Sequence, residues 1–149
     1  QFQVITGVYV DEQHIVACDF GAHSVSLFSK ASGAFVRKFG SRGNGQGQFD
    51  GPNGVCLDGG NVYVSDYGNH RVQVLTKEGV FVRFIGDASG DGKLLNPTDV
   101  AVDEQHVFVR DVGRAATGGV QFTPHFMALS DGLLYATDEA TSSIVVFEG

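Results

Sequence analysis

Positive charge, cysteine and long apolar runs are all scarce in this chain. Ten Lys and Arg stand against 17 Asp and Glu, for a net charge of −7 and a sequence pI near 5.0. A surface of that sign repels phosphate backbones, so nucleic acid is not the expected partner, even with Arg37, Lys38 and Arg42 close together. Two cysteines, Cys18 and Cys56, are too few for a disulfide framework. Both fall in strand-like runs, where a cysteine serves as a small buried hydrophobe. No apolar stretch approaches the 18 residues that a membrane-crossing helix needs. No signal-peptide pattern is visible, and the sequence opens mid-pattern at "QFQVITG", so its true start is expected elsewhere and its compartment stays open.

Tryptophan is absent and proline occurs three times, whereas glycine occurs 21 times in 149 residues. Val, Ile, Phe and Tyr recur in short runs between the glycines. That mixture fits an all-β chain with many turns, long enough for one ordinary core.

Internal repetition organises the sequence. From Pro52, Asp58 lies six residues on, Asp66 fourteen, Gly68 sixteen and His70 eighteen, with Val72 and Val74 after them. From Ile5 the same spacings meet Asp11, Asp19, Gly21, His23, Val25 and Leu27. From Pro97 they meet Asp103, Asp111 and Gly113, where the match stops. From Pro124 they meet Ser130 beside Asp131, then Asp138, Ser142, Ile144 and Val146. "VDEQH" occurs twice at one template position, 10–14 and 102–106.

Within a unit the apolar period is two. Val55 and Leu57 mark a first strand, Val62 and Val64 a second, Val72 and Val74 a third, and Phe81, Phe84 and Ile85 a fourth. "DGG", "DYGNH" and "KEG" are the turns between them. Four short antiparallel strands per roughly 45 residues describe a propeller blade, whose two faces are buried only when blades stack. "GQFDGPNGVCLDGGNVYVSDYGNHRVQVLTKEGVFVRFIG" resembles an NHL repeat, with "GNHRVQV" near that family's consensus. The resemblance covers 1–113 and 121–149 and implies an NHL-type β-propeller, in relatives usually six-bladed.

Six blades need roughly 270 residues. The units here run 1–47, 48–93, 94–120 and 121–149, so the chain reads as a single partial ring of three to four blades. The third unit is expected to be truncated, since "RAATGGVQF" replaces its later strands, and the fourth to end after a third strand. The favoured expectation is an incomplete stretch of a longer propeller; the alternative is a reduced protein that closes its ring by self-association.

Once-per-blade recurrence separates architecture from chemistry. Asp66 ends a second strand and Arg71 begins a third, so a carboxylate there can accept turn N–H groups and pair with the guanidinium. Gly68 and Asn69 tolerate the positive φ that a tight turn can need. Asp19, Asp111 and Asp138 recur at the position of Asp66, while Ser24 and Ser143 replace the Arg. All five, Asp19, Asp66, Arg71, Asp111 and Asp138, are read as turn-locking rather than catalytic. His14, His23, His70 and His106 are read as surface turn residues, because none has metal-ligand spacing.

His125, after Pro124, is different. "PTDVAVD" and "TPHFMAL" resemble motifs of peptidyl-α-hydroxyglycine α-amidating lyase, in which Pro-His pairs supply zinc ligands. That resemblance makes His125 a metal candidate, with Asn53 at the matching position of another unit. Zinc needs three protein ligands. Asp87, Ser89, Asp91 and Gly92 imitate the start of a calcium loop, yet Thr98 stands where its Glu belongs, so "GDASGDGKL" reads as a linker. No phosphate loop or serine elbow is present. The expected function is a non-enzymatic scaffold that needs no cofactor and binds a protein or peptide on its channel-end face through Asn53, Asp99 and His125. The alternatives are a metal-dependent lyase, for which zinc or calcium would be the cofactor, and a structural part of a larger assembly.

Overall fold

The computed structural model describes residues 1–87, 93–103, 106–111, 124–130, 133–138 and 143–148, with side chains through Arg110. Strands β1 (Ile5–Val10), β2 (His14–Asp19), β3 (Ser24–Ser29) and β4 (Phe35–Phe39) form one antiparallel meander. Two short segments follow, β5 (Ser41–Arg42) and β6 (Gln48–Phe49), paired in parallel. A second meander comprises β7 (Pro52–Asp58), β8 (Asn61–Asp66), β9 (Arg71–Thr76) and β10 (Phe81–Ile85). Among the described residues the third sheet has β11 (Pro97–Val102) and β12 (Val107–Asp111), and the fourth has β13 (Pro124–Ser130), β14 (Leu133–Asp138) and β15 (Ser143–Glu148). Residues 112–120, where the third unit was expected to be cut short, lie outside the described residues.

The repeat template is visible in the backbone register. Ile5 pairs with Asp19, Pro52 with Asp66, Pro97 with Asp111, and Pro124 with Asp138. A register shift follows the first residue in all four strands. The recurring Asp therefore stands across from the start of each innermost strand, where the chain turns toward its third strand. The two VDEQH segments also build the same turn. Asp11 and Asp103 each bond backbone to backbone with the His three residues on, and each carboxylate accepts that His N–H.

Period-two alternation buries both faces of the second sheet. Val55, Leu57, Val62, Val64 and Leu75 pack against Val16, Cys18, Val25 and Leu27 of the first. Cys56, Tyr63, Val72 and Val74 pack on the other side against Val100, Val102, Val107 and Val109 of the third. β7 lies between β1 and β11, and β11 also meets β13. Adjacent sheets stacked through their faces, with first strands side by side, are propeller blades. Each fully buried Val or Leu contributes about 1.5–3 kcal/mol to these joints.

Close approach at the axis explains two glycines. A Cβ on Gly7 would run into the Asn53 carbonyl oxygen, and one on Gly54 would stand 2.6 Å from the Asp99 Cα. These residues hold the same template position in successive blades, so side chains there would force the innermost strands apart.

Candidate functional site

The polar cluster between β8 and β9 is built around one carboxylate. Asp66 is fully buried and accepts from the Asp50 backbone N–H (2.7 Å), the Asn69 amide (2.9 and 3.1 Å), Arg71 Nε (3.0 Å) and the Gln73 amide (3.2 Å). Arg71 also donates to the carbonyls of Gly45 (3.1 Å) and Gln48 (3.4 Å), and its guanidinium lies 3.9 Å from the Phe84 ring centroid. Asn69 reaches the Gly43 carbonyl at 2.8 Å, and Gln73 both donates to the Gln48 carbonyl and accepts the Gly47 N–H. The cluster thus ties the blade corner to the loop at 43–50 that brings the chain in from the first blade.

The first blade solves the same corner without arginine. Asp19 is 1 % exposed and accepts the backbone N–H groups of Gln3, Val4 and Ala22. Burial pushes its carboxyl up, but those three bonds outweigh burial and leave it below the ordinary range. Asp111 and Asp138 end β12 and β14 in the same register, and their side chains lie outside those described.

Two expectations about this turn need correction. The left-handed residue is His70, with φ 57°, not Gly68 or Asn69; His23 repeats it with φ 50°. Gly68 is required for proximity instead, because a Cβ would stand 2.6 Å from the Asp50 carboxylate. Nor are these histidines idle surface residues. Nδ1 of His23 accepts the Gly51 N–H at 3.1 Å, and Nδ1 of His70 accepts the Asn96 N–H at 3.1 Å. Gly51 and Asn96 each precede the first strand of the following blade, so each His staples its blade to the next one. His14 and His106 sit at the start of β2 and just before β12, beside the Asp11 and Asp103 carboxylates at 3.5 and 3.4 Å.

Asn53 and Asp99 lie at the starts of β7 and β11, at one end of the molecule. They hold neighbouring template positions rather than one, Asn53 a residue after its Pro and Asp99 two. The Thr6 hydroxyl, Asn53's counterpart in the first blade, donates to the carbonyls of Pro52 and Asn53, both at 3.1 Å. His125 is the second residue of β13, and its side chain lies outside those described. The same holds for Ser89, Asp91 and Gly92 of the calcium-like stretch. Among the described residues, no group of three or more His, Cys, Asp or Glu is arranged to hold a metal.

The thiols are unsuited to nucleophilic work. Burial, then the charges of Asp99 and Asp58, pushes Cys56 up to about 12; burial raises Cys18 further still. They sit on opposite faces of the second blade's joints and pack as apolar groups. No described helix is long and apolar enough to cross a membrane.

The corner, the staples and the stacked meanders define the class: an all-β, propeller-type repeat protein. Residues 49–75 match the NHL repeat family, and the chain carries an NHL repeat in that fold. It is 43 % identical over 86 residues to Protein brain tumor of Drosophila melanogaster, across 56 % of this chain and 8 % of that protein. It is 47 % identical over 58 residues to RING finger protein nhl-1 of Caenorhabditis elegans, across 38 % of this chain and 6 % of that one. The chain therefore spans less than a tenth of the length of these curated relatives. Among solved structures, a streptogramin B lyase shares 13 % identity at a TM-score of 0.61, over 97 % of this chain and 54 % of that one. The computationally designed Ika4 protein shares 12 % at 0.59, over 97 % and 91 %. At such identities the likeness is one of fold alone.

Proposed function

We propose that the chain is a non-enzymatic interaction scaffold whose strand-start face receives a protein or peptide. The observation that carries this reading is the state of the polar corner: its carboxylate, guanidinium and amides are all spent on internal hydrogen bonds. A catalytic group has to face substrate, and these face their own backbone. The rigid blades leave the strand-start and turn residues at the same end free to vary, which is where repeat scaffolds take partners. The acidic balance favours a protein or peptide over nucleic acid. Asn53, Asp99 and His125 are the proposed contact positions, with no cofactor.

Affinity capture with the wild-type chain and an Asn53→Arg variant tests this. Specific binders should be lost from the variant while its melting temperature stays within about 2 °C, as for a surface change. Binders retained unchanged would refute the assignment. Stoichiometric zinc retained after dialysis, and lost in His125→Ala, would instead favour the lyase reading.

A further inference from the structure

Both histidine staples work only while the imidazole is neutral. Nδ1 of His23 accepts the Gly51 N–H and Nδ1 of His70 accepts the Asn96 N–H, each at 3.1 Å. An acceptor at Nδ1 fixes the tautomer that carries its proton on Nε2. A second proton would stand on Nδ1 and set a donor against a donor. Histidine is the side-chain type that takes up such a proton within about pH 5–8.

The two joints are otherwise built alike. Gly51 and Asn96 each stand one residue before the Pro of their strand, and both take a left-handed backbone, with φ 67° and 52°. They differ in the residue before. Asp50 holds that place in the first joint, and Leu95, 47 % exposed, holds it in the second. The Asp50 carboxylate lies 3.7 Å from Nδ1 of His23, so a protonated ring there exchanges one partner for another. The same carboxylate oxygen is 4.0 Å from Nε of the exposed Arg42. The other charges of this corner are Asp19, which accepts the N–H groups of Gln3, Val4 and Ala22, and Lys38, whose charge acts on Asp19.

His70 has no such relief. On its own corner Asp66 is bound by Arg71 at 3.0 Å, and the Asp50 carboxylate is packed against Gly68. The following blade brings Leu95 and Asn96, neither of them titratable, and the Asn96 amide donates to the Tyr67 carbonyl at 3.1 Å. Among the described residues, the histidines beside a carboxylate are His14, His23 and His106.

We propose that the joint between the second and third blades is a proton-sensitive latch, fastened by neutral His70 and slackened in mild acid, while Asp50 holds the joint between the first and second blades through the same range. The fold favours the uncharged ring at position 70, so its contribution is present at neutral pH and lost as pH falls. The proposal is independent of the partner-binding reading above.

Amide hydrogen exchange of the full chain, read residue by residue by NMR at about pH 7.5 and about pH 5.5 and corrected for intrinsic exchange, tests it. Protection of the Asn96 N–H should fall about 10-fold or more at the lower pH, and that of the Gly51 N–H less than about 3-fold. Leu95→Asp supplies the missing carboxylate at an exposed position and should give Asn96 the behaviour of Gly51. Asp50→Asn should do the reverse and give Gly51 the acid loss. His70→Asn tolerates the left-handed backbone and takes up no proton, so its Asn96 protection should be the same at both pH values. The far-ultraviolet circular dichroism spectrum should not change between the two. Asn96 protection indifferent to acid, equal losses at Gly51 and Asn96, an acid loss that survives Leu95→Asp, or a collapse of the circular dichroism spectrum at the lower pH would overturn the proposal.

Discussion

Replacing Asp66 with alanine should be among the most damaging single changes in the described part of the chain. The substitution removes the acceptor for four groups at once: a backbone N–H, two side-chain amides and Arg71 Nε. The amides keep their bonds to the carbonyls of Gly43 and Gln48, and Arg71 keeps Gly45 and Gln48. What remains is the Asp50 N–H without its acceptor and a guanidinium 7 % exposed without its counter-charge. Stranding a buried charge costs about 3–5 kcal/mol, so about 4 kcal/mol is expected. With a urea slope of about 2 kcal/mol/M for a domain of this size, the unfolding midpoint should fall by about 2 M. Arg71→Ser, which copies Ser24 of the first blade, should cost less, about 2–3 kcal/mol, because the Asp66 carboxylate it leaves keeps the Asp50 N–H and the Asn69 and Gln73 amides as donors, as Asp19 keeps three N–H groups in the first blade. The double variant should then cost at least about 1 kcal/mol less than the two singles together. Urea unfolding followed by circular dichroism measures all three. A loss below about 1 kcal/mol for Asp66→Ala, or strict additivity, would refute the corner as a locked unit.

Phe49→Ala should cost about 3–5 kcal/mol in the same assay, because Phe49 is fully buried in the joint between the first two blades. His70→Ala should cost about 1–2 kcal/mol by leaving the Asn96 N–H without its acceptor, and His23→Ala a similar amount. Acid should weaken the same joint. Burial alone would raise Asp11, but Lys77 and the N–H groups of Gln13 and His14 hold it down from 3.8 to about 2. A depressed carboxyl stabilises the fold above its unfolded value and loses that contribution as pH falls through the folded value. On the order of 2 kcal/mol, less some screening at this part-exposed pair, should therefore disappear between about pH 4 and pH 2. In Lys77→Met that part of the acid sensitivity should shrink, as urea midpoints across the pH range would show.

Strand order, the period-two faces and the recurring Asp were legible because each is written locally. Val55 and Leu57 mark one face wherever the chain goes, and the Pro-to-Asp spacing of fourteen is a pairing across one hairpin. What escaped the sequence depends on the next blade. His70 reads as a polar turn residue until Asn96, 26 residues on, is brought against its ring. Gly68 looks like a conformational glycine until Asp50 closes over it. The parallel pairing of Ser41–Arg42 with Gln48–Phe49 has no apolar alternation to announce it. The proposed contact positions Asn53 and Asp99 were named from the geometry of strand starts, and Gly7 and Gly54, whose missing side chains let those strands converge, were the available signal.

The central claim is that partners meet the strand-start end of the blades rather than the opposite end. Carboxyl-to-amine cross-linking of the captured complex, read by mass spectrometry, tests it directly. Antiparallel strands put Asp99 at the strand-start end and the exposed Glu12 and Glu78 in turns at the other. The account predicts cross-links from Asp99 to partner lysines, with Glu12 and Glu78 uncoupled. Cross-links concentrated at Glu12 and Glu78, with none at Asp99, would contradict it.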